Sequence, residues 1–175
     1  MKRFLVMIWI VCAAVCLATG CAGDPLEEGV ELLQEAKYEE AAERFEEAAE
    51  KEKDAAEAYR GIGIAKWELA DYEGAKEAFQ QALDLGVQPT ATLYNFLGNC
   101  ELALQNPVAA LNHYRMGIAL EDADGELMRE MKFNEIAAYE GIGDWESAKV
   151  KLSEYMEDYP DDERAVKEAE FLKTR

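Results

Sequence analysis

The chain has 175 residues, half of them hydrophobic, and a formal net charge of −19 at pH 7. That length holds one domain of ordinary size with enough apolar material for a core. Acids outnumber bases 37 to 18, which excludes nucleic acid as a partner, because phosphate binding needs clustered Lys and Arg. Such acidity keeps a domain soluble and favours basic or cationic partners.

Met1-Lys2-Arg3 is a short positive start, followed by the apolar run FLVMIWIVCAAVCL over 4–17 and the small residues Ala18, Thr19 and Gly20. This is the layout of a secretory signal peptide over 1–20, and the run is short of the roughly 20 apolar residues that span a bilayer. LATGC, ending at Cys21, resembles the lipobox of bacterial lipoproteins. It departs from that motif with Ala18 three places before the Cys, where Leu is usual, and Leu17 one place earlier. The resemblance implies cleavage behind Gly20 and acylation of Cys21, palmitate included, in a short lipidated terminus over 21–23. It also implies a membrane-anchored, extracytoplasmic location: the outer face of the cytoplasmic membrane, or the outer membrane in a cell with two. An uncleaved anchor, or ordinary cleavage beside an incidental Cys, is the competing reading. Cys12 and Cys16 lie in the segment to be removed. Cys100 then has no partner for an internal disulfide and reads as a small core residue.

Asp24 and Pro25 form a helix cap and first helical position only three and four residues past Cys21. Almost no tether then separates lipid from fold. Residues 22–55 carry 13 acids and 4 bases, so this part is repelled by an anionic bilayer over about 8 Å at physiological salt.

From here one motif recurs: KYEEAAERF at 37–45, DYEGAKEAF at 71–79, NPVAALNHY at 106–114 and DWESAKVKL at 144–152. Its Ala falls at Ala41, Ala75, Ala110 and Ala148, in steps of 34, 35 and 38 residues, and Gly29, Gly63 and Gly98 keep the same phase. Gly inside a helix costs about 1 kcal/mol relative to Ala, so three in phase predict close backbone approach. Phe45, Phe79, Tyr114 and Leu152 follow each Ala by four residues and share its helical face. Each unit reads as a helix, a turn near Lys37, Asp71, Asn106 or Asp144, and a second helix, with Pro107 tolerated in a first turn. Periods of this size mean stacked supersecondary units.

These marks resemble the tetratricopeptide repeat, whose pattern is W-x2-L-G-x2-Y, then A-x3-F, then P. YRGIGIAK with Ala75 and Phe79, and YNFLGNCE with Ala110 and Tyr114, match it well. The first unit has Pro25 and Glu28 early, and Lys66 and Glu101 replace an aromatic that Trp67 and Leu102 follow one place later. The last unit keeps Tyr139, Ala148 and Pro160 but has Lys132, Glu135 and Ile136 where aromatic, Leu and Gly belong. The resemblance implies an all-α fold, a right-handed α-solenoid over 24–175. Its four helix pairs fall at about 22–55, 56–90, 91–128 and 129–160. A capping helix over 161–175, started by Asp161 or Asp162, puts Ala165, Ala169 and Leu172 on its apolar stripe. The longest step comes from an insertion around LEDADGE (120–126), whose acids lack calcium-loop spacing and read as a capped turn.

Catalysis is poorly staffed. His113 is the only histidine, so neither a nucleophile triad nor a histidine metal cluster can be assembled with redundancy, and it reads as surface or half-buried packing. Gly61-x-Gly63 and Gly141-x-Gly143 lack the strand and the remaining glycines of a phosphate-binding loop. The reading is a non-enzymatic scaffold without cofactor or metal, binding a protein or peptide at the cell envelope. A structural part of an envelope or pilus machine, binding large partners through its outer surfaces, is the alternative. A solute-binding lipoprotein is disfavoured, because it needs an enclosed pocket. In the family that the chain resembles, the first helices line a concave groove. Arg60, Ile64 and Trp67 then share one stripe, and Asn95, Asn99 and Leu102 the next. Arg60 suits a carboxylate, and Trp67 is either an apolar anchor or core. The two Asn are expected to face the groove, because burying unpaired amides is costly. The family's clamp for C-terminal carboxylates is not reproduced, since Asn95 stands where a Lys belongs.

Overall fold

The computed structural model describes residues 23–120 and 122–175. The apolar run, the cleavage site and Cys21 lie outside them. Among the described residues the chain forms nine α-helices and no strand. They are α1 (Pro25–Gln34), α2 (Tyr38–Ala49), α3 (Ala55–Glu68), α4 (Tyr72–Asp84), α5 (Ala91–Ala103), α6 (Pro107–Ile118), α7 (Gly125–Ile142), α8 (Trp145–Asp158) and α9 (Glu163–Leu172). None of the described helices is long and apolar enough to cross a membrane.

The helices pair as α1/α2, α3/α4, α5/α6 and α7/α8, and each second helix also packs on the first helix of the next pair. First helices pack directly in two of the three steps, α1 on α3 and α5 on α7, while second helices make no comparable contact in any. A stack whose first helices approach more closely curves with those helices on its inner side. Fully buried Ala41, Ala75, Ala110 and Ala148 bring the second helices in close.

The phased glycines have a direct cause. A Cβ on Gly29 would lie 2.6 Å from the Phe45 ring, on Gly63 2.5 Å from Phe79, and on Gly98 2.5 Å from Tyr114. Each first helix therefore leaves a notch that receives the aromatic of its own second helix. In the fourth pair both halves change together. Ile136 fills the notch and the smaller Leu152 meets it, both buried. The notch is filled from the first helix instead of the second, which keeps the interior close-packed.

The other departures of the fourth pair are also compensated. Glu135, at a position where the pattern wants Leu, is buried, and Arg115 of α6 pairs with it at 3.4 Å. The same guanidinium donates to the Tyr139 hydroxyl. Lys132 pairs with Asp158 at 2.7 Å and lies over the Tyr159 ring. A buried carboxylate without such a partner would cost several kcal/mol.

Every turn within a pair closes alike. Ala36 (φ 56°), Ala70 (φ 59°), Gln105 (φ 61°) and Gly143 (φ 82°) take the left-handed conformation after the first helix. The next residue's N–H returns to a helix carbonyl: Lys37 to Leu32 at 2.9 Å, Asp71 to Lys66 at 2.9 Å, Asn106 to Glu101 at 2.8 Å and Asp144 to Tyr139 at 3.0 Å. This closure satisfies carbonyls that the helix end leaves open.

At the ends, Asp24 caps α1, accepting from the Leu26 N–H at 3.2 Å, and Asp162 caps α9, accepting from the Arg164 N–H at 3.0 Å. The insertion is a short loop plus an extra helical turn. Asp124 caps α7 at Gly125, so the fourth pair starts before 129, where the repeat phase alone puts it. Asp122 reaches back to accept from the Ala91 N–H at 2.9 Å, tying the loop to the start of α5.

Candidate binding groove

The inner face of the stack is formed by α3, α5 and α7, with α9 beside α7. On α3, Arg60 is half exposed, and its guanidinium Nε donates to Glu57 one turn earlier at 2.7 Å. An exposed pair of this kind contributes little stability, so Arg60 remains available to another carboxylate. Ile64 and Trp67 are half-buried against the core of the second and third pairs. The Trp67 ring sits 5.1 Å from Tyr72 and 5.8 Å from Phe96, centroid to centroid. Phe96 in turn stacks on Phe79 at 5.2 Å. Trp67 is therefore a seam residue, joined to the core on one side and open on the other.

The two asparagines depart from expectation. Asn95 is only 8 % exposed, and its Oδ1 has no hydrogen-bond partner. Asn99 is half-buried and engaged: its Oδ1 accepts from the Tyr114 hydroxyl at 2.6 Å and from Asn134 Nδ2 at 3.1 Å. The pair is thus not a free polar stripe. Tyr114 is buried with its hydroxyl at the inner edge, and that hydroxyl requires an acceptor. Asn99 supplies it and simultaneously joins α5 to α7. Leu102 is half-buried against the core of the last two pairs.

Asn134 was not singled out from the sequence, although the repeat phase marks it. It holds the place of Gly61 on α3 and Phe96 on α5, the positions that face back across the seam. From Asn134 the groove continues into a polar cleft of about 370 Å³ between α7 and the α8–α9 connection, lined also by Arg129, Glu130 and Arg164. Arg129 Nε is buried there without a partner. Arg164 is committed, pairing with Asp162 at 2.7 Å and lying over the Phe133 ring. That pairing holds the Asp162 carboxyl far below its ordinary range.

The remaining reactive groups are quiet. Cys100 is fully buried, and burial pushes its thiol up to about 12, so no thiolate forms at neutral pH. His113 is half-buried against Tyr94, and burial lowers its pKa, which favours the neutral ring.

Among solved structures the chain is similar to YrrB, described as a TPR protein with an unusual peptide-binding site. The two are 24% identical, over 81% of this chain and 70% of that one, with a TM-score of 0.71. MamA from Desulfovibrio magneticus RS-1, residues 41 to the end, is 22% identical over 87% of this chain and 86% of its own, with a TM-score of 0.75. PilF of Pseudomonas aeruginosa is 18% identical over 86% and 65%, with a TM-score of 0.64. At these identities the likeness is one of fold. Among curated proteins none matches. The tetratricopeptide repeat family model matches residues 26–68 and 61–124, more than half of the chain. With the nine described helices stacked in phase, the chain belongs to the tetratricopeptide repeat family and folds as an all-α solenoid of those repeats.

Proposed function

We propose that the chain is a scaffold that captures extended peptide segments along the inner face of α3, α5 and α7, held at a membrane surface by lipid on Cys21. Repeat folds of this family generally serve as protein-binding scaffolds, and a structural neighbour of the same fold is described as binding peptide. The observation that carries the reading is Asn95. A buried amide oxygen without a partner costs about 1–3 kcal/mol, yet Asn95 keeps one beside the seam where Trp67 and Phe96 offer apolar surface. A peptide N–H entering the groove supplies the missing donor once the amide turns toward it. The neighbouring rings hold an apolar side chain of that peptide, while Arg60 and Arg129 hold acceptors. The surrounding carboxylates favour a peptide of net positive charge.

Lipid anchoring rests on the lipobox resemblance at LATGC, and the α1 cap at Asp24 supports a short tether behind it. Two acyl chains on one cysteine suffice for stable attachment. Radiolabelled palmitate should enter the full chain and be absent from Cys21→Ala; equal labelling of both would end the anchoring proposal. For the groove, peptides selected from a random display library by the full chain should bind Asn95→Ala at least tenfold more weakly. Equal binding by wild type and Asn95→Ala would move the site off this face.

A further inference from the structure

The outer side of the stack carries a second interaction surface, across α3 from Arg60, Ile64 and Trp67. We infer that the cleft between α2, α3 and α4 receives a segment of a partner protein that brings an apolar side chain flanked by Lys or Arg. The cleft is open, with a volume of about 510 Å³. Its floor is apolar: half-buried Ala49 of α2, buried Ile62 of α3 and buried Ala78 of α4. Its walls are acidic. Glu46 and Glu50 stand one turn apart on α2, and Glu77 stands on α4, all three exposed.

The three helices do not balance these carboxylates themselves. α2, α3 and α4 hold four cations, Arg44, Arg60, Lys66 and Lys76, and each is paired with a different acid. Arg44 meets Glu47 at 2.9 Å, Arg60 Glu57 at 2.7 Å, Lys66 (at the edge of the cleft) Asp71 at 3.8 Å and Lys76 Glu73 at 2.8 Å. The repeat also contains the balanced alternative. Steps of 35 and 38 residues lead from Ile62 to Leu97 and Glu135, and from Ala78 to His113 and Lys151. The cleft between α6, α7 and α8 therefore stands in the same register, and there the chain supplies its own cations. Arg115 pairs with Glu135 at 3.4 Å, Lys132 with Asp158 at 2.7 Å and Lys151 with Glu154 at 2.9 Å, and the opening shrinks to about 210 Å³. The cleft between them, formed by α4, α5 and α6, is of the open kind. It too measures about 510 Å³, shares Glu77 with the first and adds Asp84 and Glu101. One place in the fold is thus charge-matched and filled at one end of the stack, and acid-walled and open at the other. The partner's cations supply at the open end what Arg115, Lys132 and Lys151 supply at the filled one, and its apolar side chain covers Ile62. An exposed ion pair adds little alone, so the three carboxylates act together with the apolar floor.

The probe is an acetylated, amidated peptide Lys-Ala-Leu-Ala-Lys, which when extended puts Leu between two Lys on one face. Titrated into the methyl-labelled full chain, it should shift the Ala49 and Ile62 methyl signals, a readout separate from the inner groove. The triple variant Glu46→Gln, Glu50→Gln, Glu77→Gln changes exposed side chains alone, and the Kd read from those signals should rise about tenfold. The triple variant Glu27→Gln, Glu157→Gln, Glu170→Gln removes the same charge elsewhere on the surface and should change that Kd by less than about twofold. The peptide with Gly in place of Leu should bind about fivefold more weakly. Shifts confined to the inner face at Phe96, equal losses in the two triple variants, or spermine matching the peptide in Kd at Ile62 would each overturn the inference. So would sedimentation showing a dimer of the full chain that the first triple variant dissociates, because a second copy then fills the cleft.

Discussion

Adding one methyl group at Gly63 tests how the repeats lock together. In Gly63→Ala the new Cβ would stand 2.5 Å from Cδ1 and Cε1 of Phe79, about 1 Å inside ordinary contact. Phe79 cannot swing clear, because it is fully buried and stacked on Phe96 of the next pair. Overpacking of this kind costs about 1–3 kcal/mol, while Ala in place of Gly returns about 1 kcal/mol of helix propensity. With the ring fixed on two sides the upper part of that range, about 2–3 kcal/mol, applies, and the net expectation is a loss of about 1–2 kcal/mol in urea unfolding followed by circular dichroism. Phe79→Leu alone should lose about 1 kcal/mol by leaving the notch unfilled. The double variant enlarges one side of the contact and reduces the other, the direction of change seen at Ile136 and Leu152, so its loss should fall short of the sum by about 1 kcal/mol. Gly63→Ala at wild-type stability, or strict additivity in the double variant, would refute the notch.

Gly143→Ala should destabilise by about 1 kcal/mol in the same assay, because a Cβ is strained at its positive φ, whereas Ala70→Gly should stabilise by a few tenths to 1 kcal/mol. Asn99→Ala should cost about 1–3 kcal/mol by orphaning the Tyr114 hydroxyl, while Asn95→Ala should hold or raise the melting temperature. That contrast separates two amides that the sequence places together on the groove face. Burial, and then the neighbouring Glu168 carboxyl, raise Glu140 from 4.5 to about 7. The unfolded chain ionises first, so this site's contribution is lost as pH rises from about 4.5 through 7. Glu140→Gln should therefore gain about 1 kcal/mol at pH 8, after allowance for solvent screening, and little at pH 4, by thermal unfolding at each pH.

The architecture was legible because the repeat writes each helix pair several times over. Gly29, Gly63 and Gly98 carry the same message as Phe45, Phe79 and Tyr114, since each is half of one contact. The fourth pair hid its logic because its contacts are satisfied from elsewhere. Glu135 looks like a misplaced surface residue until Arg115, twenty residues earlier on another helix, is brought to it. The groove was legible only as a stripe. Spacing put Asn95 and Asn99 on one face but could not show that Tyr114 and Asn134 consume Asn99, because both bonds cross between helices. Trp67 fell between core and surface for a similar reason. Its exposure depends on Phe96, which belongs to the next unit.

The left-handed turn residues bear on how the chain begins to fold. Ala36, Ala70 and Gln105 hold a backbone conformation that disfavours L side chains by about 1–2 kcal/mol. The first three helix hairpins therefore close at a local cost, which their stacked neighbours offset only once they have arrived. Gly143 carries no such cost, and α7 is, at 18 residues, the longest of the described helices. The hairpin of α7 and α8 is thus the one whose turn closes without local cost, and it is complete once Arg115 of α6 reaches the buried Glu135. Folding that starts there would propagate toward α1, with each new turn held by the pair already in place.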